Sequence, residues 1–231
     1  MNGPRVVVLT GAGISAESGL ATFRDSGGLW EGHDPMQVAT PEAYADDPDL
    51  VLRFYDERRD ALAHAVPNAA HLALARLEDA LGDDLLLVTQ NVDDLHERAG
   101  SRRVHHVHGS LRSAWCTACD ERHDWDGPLL HRPPCPACGA RDLRPDIVWF
   151  GEVPHGLPLV EDALEECDLF VSIGTSGLVY PAAAFVHWAR GSTLELNLEP
   201  SAGATGFAQS RQGPATVLVP QWVEELVGPA V

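Results

Sequence analysis

The sequence predicts an α/β fold: a parallel sheet covered by helices on both faces, with a smaller lobe of helices and a cysteine-rich ribbon beside it. Three observations carry this. Short runs rich in Val, Ile and Leu recur between helical patterns, and such runs suit strands buried on both faces. The first of them, Val6-Val-Val-Leu9, ends on the closely spaced glycines of Gly11-Ala12-Gly13. Four of the five cysteines fall in two Cys-x-x-Cys pairs.

In chain order, the strand-like runs are Arg5–Thr10, Leu85–Thr89, Arg103–Val107, Asp168–Ile173, Thr193–Asn197 and Thr216–Val219. Helical patterns cover Asn68–Ala80, Val160–Glu166, Tyr180–Ala189 and Pro220–Val227. The last two carry proline near the start, where its missing N–H is least harmful. Two stretches interrupt the alternation: 28–67, mainly helical, and 112–145, which holds the cysteines. They are expected to form the small lobe, with 1–27, 68–111 and 146–231 forming the large one. The cleft between the lobes, at the carboxyl edge of the sheet, is the expected site.

Composition narrows the function. Sixteen Lys and Arg against 34 Asp and Glu leave a net charge of −18, which repels nucleic-acid backbones. No apolar run approaches the length that spans a bilayer, and no secretory leader precedes the first strand, so the expected compartment is the cytoplasm.

Cys116, Cys119, Cys135 and Cys138 have fifteen residues between the pairs. Thiolates two residues apart on tight turns can face one ion, and two such turns complete a tetrahedral zinc site. With sulfur at every corner the Zn2+ has no open position, so it organises the fold and activates no water. Residues 112–144 carry five arginines against five acids, which is no basic stripe for nucleic acid.

The glycine turn leads through Ser15 and Glu17 to Thr22, Phe23 and Arg24. Glycines there let backbone approach a pyrophosphate at a helix amino end, although tight turns also use glycine for steric reasons alone. After the Leu85–Val88 run come Gln90, Asn91, Val92 and Asp93, placed to hydrogen-bond a ribose or a carboxamide, or simply to cap the next helix. His108, before Gly109, stands in the same layer, where a general base could reach a substrate hydroxyl.

These motifs, together with Val148-Trp-Phe-Gly-Glu152, Gly174-Thr-Ser176 and Asn197-Leu-Glu199, resemble the sirtuins in the same order over nearly the whole chain. The resemblance implies a Rossmann-type NAD domain and removal of acyl groups from protein lysines with NAD as co-substrate. It assigns Gly11, Ala12, Gly13, Ser15, Glu17, Thr22, Phe23, Arg24, Trp30, Gln90 to Asp93, His108, Gly174, Thr175, Ser176, Asn197, Leu198, Glu199 and Ala215 to NAD. His108 and Asn91 become catalytic, and Val148, Phe150, Gly151 and Glu152 flank an extended acyl-lysine peptide. The expected products are nicotinamide, 2′-O-acyl-ADP-ribose and lysine. Transfer of ADP-ribose to a protein from the same NAD site is the alternative.

Tyr55 and Arg58 lie three apart in Phe54-Tyr-Asp-Glu-Arg-Arg59 and share a helix face, so a phenol and a guanidinium can converge on a carboxylate. The pattern matches the Tyr-x-x-Arg of sirtuins that remove succinyl or malonyl groups, and Ala39 leaves room for a longer acyl chain. The bland alternative is that the arginines pair with nearby acids on a wet face.

Overall fold

The computed structural model describes residues 5–21, 30 and 32–229. Its nine strands, among the described residues, form two sheets. The larger has six strands: β1 (Val6–Thr10), β2 (Leu85–Thr89), β3 (Val104–His106), β7 (Leu169–Ile173), β8 (Ser192–Asn197) and β9 (Gln209–Gln212). They run parallel in the order β3-β2-β1-β7-β8-β9. The chain leaves β1 toward one side and returns to its other side with β7, so the strand order reverses between these two, and a crevice opens there at the carboxyl ends.

The smaller sheet pairs β4 (Gly109–Cys116) antiparallel with β5 (Arg122–Asp124) and β6 (Leu143–Ile147). It carries the cysteines. Beside it sit α1 (Pro35–Val38), α2 (Pro41–Asp46) and α3 (Pro48–His64). Asp47 starts α3 by accepting the Leu50 N–H at 3.0 Å, and Pro48 follows at the first helical position, where its missing N–H is harmless. Helix α3 buries Val51, Leu52, Phe54, Tyr55, Arg59 and Leu62; Val51, Phe54, Tyr55 and Leu62 pack with Leu111, Ile147 and Trp149, and Leu52 with Leu129 and Leu143. Arg59 and Asp56 anchor this packing: Arg59 Nε donates to Leu111 O at 2.8 Å, and the Asp56 carboxylate takes the Leu129 and Leu130 N–H groups.

The large sheet is covered on one face by α4 (Ala69–Leu81) and α8 (Ala215–Val227), with α6 (Leu157–Glu166) and α7 (Phe185–Trp188) on the other, while α5 (Leu95–Arg98) follows β2. Val6, Val8, Leu87, Val171 and Leu194 face Leu74, Leu77, Val219 and Trp222, so the apolar runs read from the sequence are the centre of the core.

Thr216–Val219 is not a strand. It forms the opening turns of α8, and Pro220 lies inside that helix, not at its start. The β-branched run suggested a strand, but Val219 and Val223 are needed against α4, and tertiary burial outweighs local propensity. The sixth strand is Gln209-Ser-Arg-Gln212, at the sheet edge, where solvent on the open side permits a polar sequence with no hydrophobic signature. Tyr180–Ala189 is likewise no single helix: a 3-10 turn at Ala182–Ala184 precedes the short α7. Among the described residues no helix is long and apolar enough to cross a membrane.

Candidate active site

A cleft of about 730 Å³ runs between the two sheets, above the β1/β7 crossing. It is lined by nearly every described residue read from the sequence as a site residue. Thr22, Phe23 and Arg24 lie outside the described residues.

The floor is the turn after β1. Gly11 N–H donates to Ile173 O at 3.0 Å and Gly13 N–H to Gly174 O at 2.9 Å. A Cβ on Gly13 would lie 2.7 Å from Gly174 Cα, and one on Gly174, whose φ is +64°, would lie 2.5 Å from Ile14 N. These glycines therefore let two backbone turns pack on each other, the steric use that the sequence left open beside phosphate approach. Their packing presents Ala12 and Ser15 to the cleft.

Ser15 is the hub of the next layer. Its Oγ donates to Asp93 Oδ2 at 3.0 Å and accepts from Asn91 Nδ2 at 3.2 Å and from His71 Nε2 at 3.4 Å. The His71 tautomer is fixed by the Asn68 N–H, which donates to Nδ1 at 3.3 Å, so the ring proton resides on Nε2. Burial pushes His71 down to about 4, and it stays neutral near pH 7. Burial raises the Asp93 carboxyl, while hydrogen bonds from Leu95 N–H and Ser15 Oγ pull it back. Asp93 lines the cleft and also takes the first N–H of α5, at 3.1 Å.

His108 occupies the turn between β3 and β4. Its Nδ1 lies 3.1 Å from Gln90 O. A carbonyl only accepts, so Nδ1 carries the hydrogen and the Nε2 lone pair remains available as a base. Burial lowers its pKa, which favours the neutral ring with its Nε2 lone pair unprotonated at physiological pH. Gly109 follows for a steric reason: at φ +81°, its Cβ would fall 2.0 Å from Asp146 O on β6.

Across the cleft, Val148 N–H donates to His108 O and Phe150 N–H to Ala39 O, both at 2.9 Å. Glu152 lines the cleft, but its carboxylate is engaged with Arg144, at 2.8 and 3.0 Å, and with Trp149 N–H at 2.8 Å. Its observed work is to brace this segment. At the far side Asn197 Nδ2 donates to Thr175 O at 2.7 Å, holding the β7 and β8 ends together, and Leu198 and Glu199 line the rim. Glu17 accepts the Thr216 N–H and hydroxyl at the start of α8, beside Ala215.

Tyr55, Arg58 and Ala39 line the end of the cleft. Tyr55 is buried, and its hydroxyl accepts the Trp149 indole N–H at 3.0 Å, which directs the phenol proton elsewhere. Burial raises its pKa strongly, so it remains a donor. The Arg58 guanidinium sits 4.2 Å from the Trp30 ring centroid and 5.6 Å from that of Phe54. Arg59 pairs with Asp56 at 2.8 Å, but from a buried position and not on a wet face. Sequence reasoning left out Trp149 and His71. The first stands inside a quoted motif, and the second at the third position of a helix opened by Asn68, a capping signal that was legible.

The four cysteines converge. All four Sγ atoms lie within 4.8 Å of one another, and the Cys116–Cys138 and Cys119–Cys135 pairs are each 3.8 Å apart. A tetrahedron with Zn–S arms of about 2.3 Å has edges of about 3.8 Å, so the cluster fits one zinc ion. Each knuckle closes with a backbone bond, Asp120 N–H to Cys116 O and Gly139 N–H to Cys135 O, both 2.9 Å. Cys167 is buried elsewhere, its thiol donating to Leu164 O.

Comparison with known proteins is consistent over the whole chain. The Sir2 family model matches residues 11–181. An NAD-dependent protein deacylase of Yersinia pseudotuberculosis is 54% identical over 98% of this chain and 84% of its own length. One from Escherichia coli K12 is 53% identical with the same coverage. A solved complex of a Sir2 homologue with NAD is 40% identical, with a TM-score of 0.87 over 96% of this chain and 88% of that one. A Sir2 protein solved with a deacetylated p53 peptide and 3′-O-acetyl-ADP-ribose is 28% identical, with a TM-score of 0.84 over 97% of this chain and 94% of that one.

Proposed function

This chain belongs to the Sir2 family, and from that premise we propose that it is an NAD-dependent protein deacylase that removes succinyl or malonyl as well as acetyl groups from lysine. The observation that carries the reading is His108, a neutral imidazole with a free Nε2 lone pair in the same cleft as the β1 turn, Asn91 and Asp93. Relatives named as deacylases favour this over ADP-ribose transfer to protein.

NAD, when bound, supplies a ribose carbon that accepts the acyl oxygen as nicotinamide departs. The chain's own contribution is mostly placement, because an amide oxygen is a weak nucleophile and gains most from being held in line. Asn91 and Asp93, immobilised by Ser15, hold the ribose and carboxamide end. Nε2 of His108 takes a proton from a ribose hydroxyl, and the Gln90 carbonyl steadies the imidazolium that forms. The 2′-oxygen so freed would attack the acyl carbon, and water would complete the transfer, releasing the lysine amine and 2′-O-acyl-ADP-ribose. Phe23, by resemblance, shields the developing oxocarbenium from water and from returning nicotinamide.

The peptide runs between 148–152 and 177–179, beside which exposed Val153, Leu178 and Tyr180 make an undemanding apolar frame. Tyr55 and Arg58 receive the acyl carboxylate. The division at 28–67 and 112–145 into a small domain is part of this reading. So is the cytoplasm, a reducing compartment that suits five thiols with no disulfide among the described residues.

The deciding experiment incubates the protein with NAD and matched acetyl-, malonyl- and succinyl-lysine peptides and identifies products by mass spectrometry. Acyl-ADP-ribose with free lysine is expected. ADP-ribosylated protein in its place would overturn deacylation, and a preference for acetyl over both acidic groups would overturn the acyl assignment alone.

A further inference from the structure

His106, two residues before His108, has no role in the chemistry above, yet its contacts are unusual. The ring is largely buried at the end of the edge strand β3. Nδ1 lies 2.9 Å from the backbone oxygen of Asn91, and Nε2 lies 2.8 Å from the Glu97 carboxylate on α5. A carbonyl and an ionised carboxylate both only accept. A neutral imidazole offers one hydrogen, so it can serve only one of them, whereas an imidazolium serves both.

We propose that His106 and Glu97 form a charged clamp that positions Asn91, making His106 a positioning residue for the NAD site. The proposal rests on the reading of Asn91 as a ribose and carboxamide ligand. Asn91 is held from three sides: its N–H donates to Thr89 Oγ1 at 3.0 Å, its side chain reaches Gly11 O and Ser15 Oγ at 3.2 Å, and its carbonyl receives His106. The first two contacts are between neutral groups and survive any pH near neutrality. The third does not, because loss of the ring proton sets a lone pair against either Glu97 or the Asn91 carbonyl, and one contact must break.

The groups facing the ring are Glu97 on α5, Asp93 on the segment before it, and His96 on α5. Glu97 and Asp93 attract the imidazolium, while His96 is held neutral by its burial. Burial opposes protonation of His106, but the Glu97 contact and the Asn91 carbonyl outweigh it and raise the ring's pKa. The clamp is accordingly closed below that pKa and opens as pH rises through it.

The test follows the ring and the reaction together. The His106 titration is read by heteronuclear NMR, assigned with His106→Gln, and kcat and KM for NAD are measured from mildly acid to alkaline pH. In the wild type the alkaline limb of kcat/KM for NAD should coincide with the ring titration and reside in KM more than in kcat, as expected for lost ligand placement. Glu97→Gln should lower the ring pKa by about one pH unit or more and carry the limb down with it. Glu97→Asp, which keeps the charge, should restore most of both.

A ring pKa that moves while the limb stays put would overturn the positioning role, and one that does not move would overturn the clamp. If Glu97→Gln does not fold, the wild type still decides, because a limb that departs from the ring titration contradicts the proposal. Should the protein yield no acyl-ADP-ribose at any pH, the deacylase reading has failed; the clamp is then judged by whether NAD affinity, measured by calorimetry, falls as the ring loses its proton.

Discussion

Arg58→Met is the sharpest probe of acyl choice, because it removes the charge while keeping an apolar stem in its place. The guanidinium lies over Trp30 and beside Phe54, and methionine keeps an apolar stem and a polarizable sulfur near both rings, so folding should change little. The lost interaction is a charge-assisted hydrogen bond to a carboxylate in a partly desolvated cleft, worth roughly 1.5–3 kcal/mol. At about 1.4 kcal/mol per tenfold, kcat/KM for succinyl-lysine peptide should fall about 10- to 150-fold. Acetyl-lysine presents no carboxylate, and its kcat/KM should stay within about threefold by the same reasoning. Both are measured with one peptide backbone at saturating NAD. Tyr55→Phe is a poorer probe, because it strands the Trp149 indole N–H in the core. Equal losses on the two substrates after Arg58→Met would refute the assignment and return Arg58 to a packing role.

Three further outcomes are expected. Chelating the zinc should abolish the amide-exchange protection of 112–145 and, through Asp56 and the Leu129 and Leu130 N–H groups, loosen α3 and the cleft; full activity in a verified metal-free sample would contradict this. Acid should destabilise the fold through His71: an unfolded imidazole titrates near 6.5 and the folded one at about 4. Between those values only the unfolded chain takes up the proton, so roughly 3 kcal/mol of stability is present above pH 6.5 and is lost as pH falls toward 4. Urea midpoints across that window check it, and His71→Gln should flatten the slope. Gly13→Ala places a Cβ 2.7 Å from Gly174 Cα, where the nearest atoms are all backbone. A stability loss of about 1–3 kcal/mol with weakened NAD binding is expected, and an unchanged urea midpoint would mean the two turns can part.

The sequence by itself determined the buried strands β1, β2, β7 and β8, because strands covered on both faces must be continuously apolar. It determined the zinc cluster, because ligand spacing is a local property, and it marked the cleft, because polar residues after each apolar run fall at the strand ends. Tertiary structure decided the rest. β6 went unseen: Leu143-Arg-Pro-Asp-Ile147 looks polar, and only Glu152 and the Trp149 ring, 3.4 Å from the Arg144 guanidinium, explain how that charge can be buried. β9 was unreadable because an edge strand needs no apolar face, and Thr216–Val219 misled because strand propensity and helix burial compete for the same β-branched residues. Arg58 and Arg59 make the point within one turn of helix. Adjacent residues on α3 point about 100° apart, which sends one guanidinium to Trp30 and the other to Asp56 and Leu111, and no local pattern states which neighbour waits on each side.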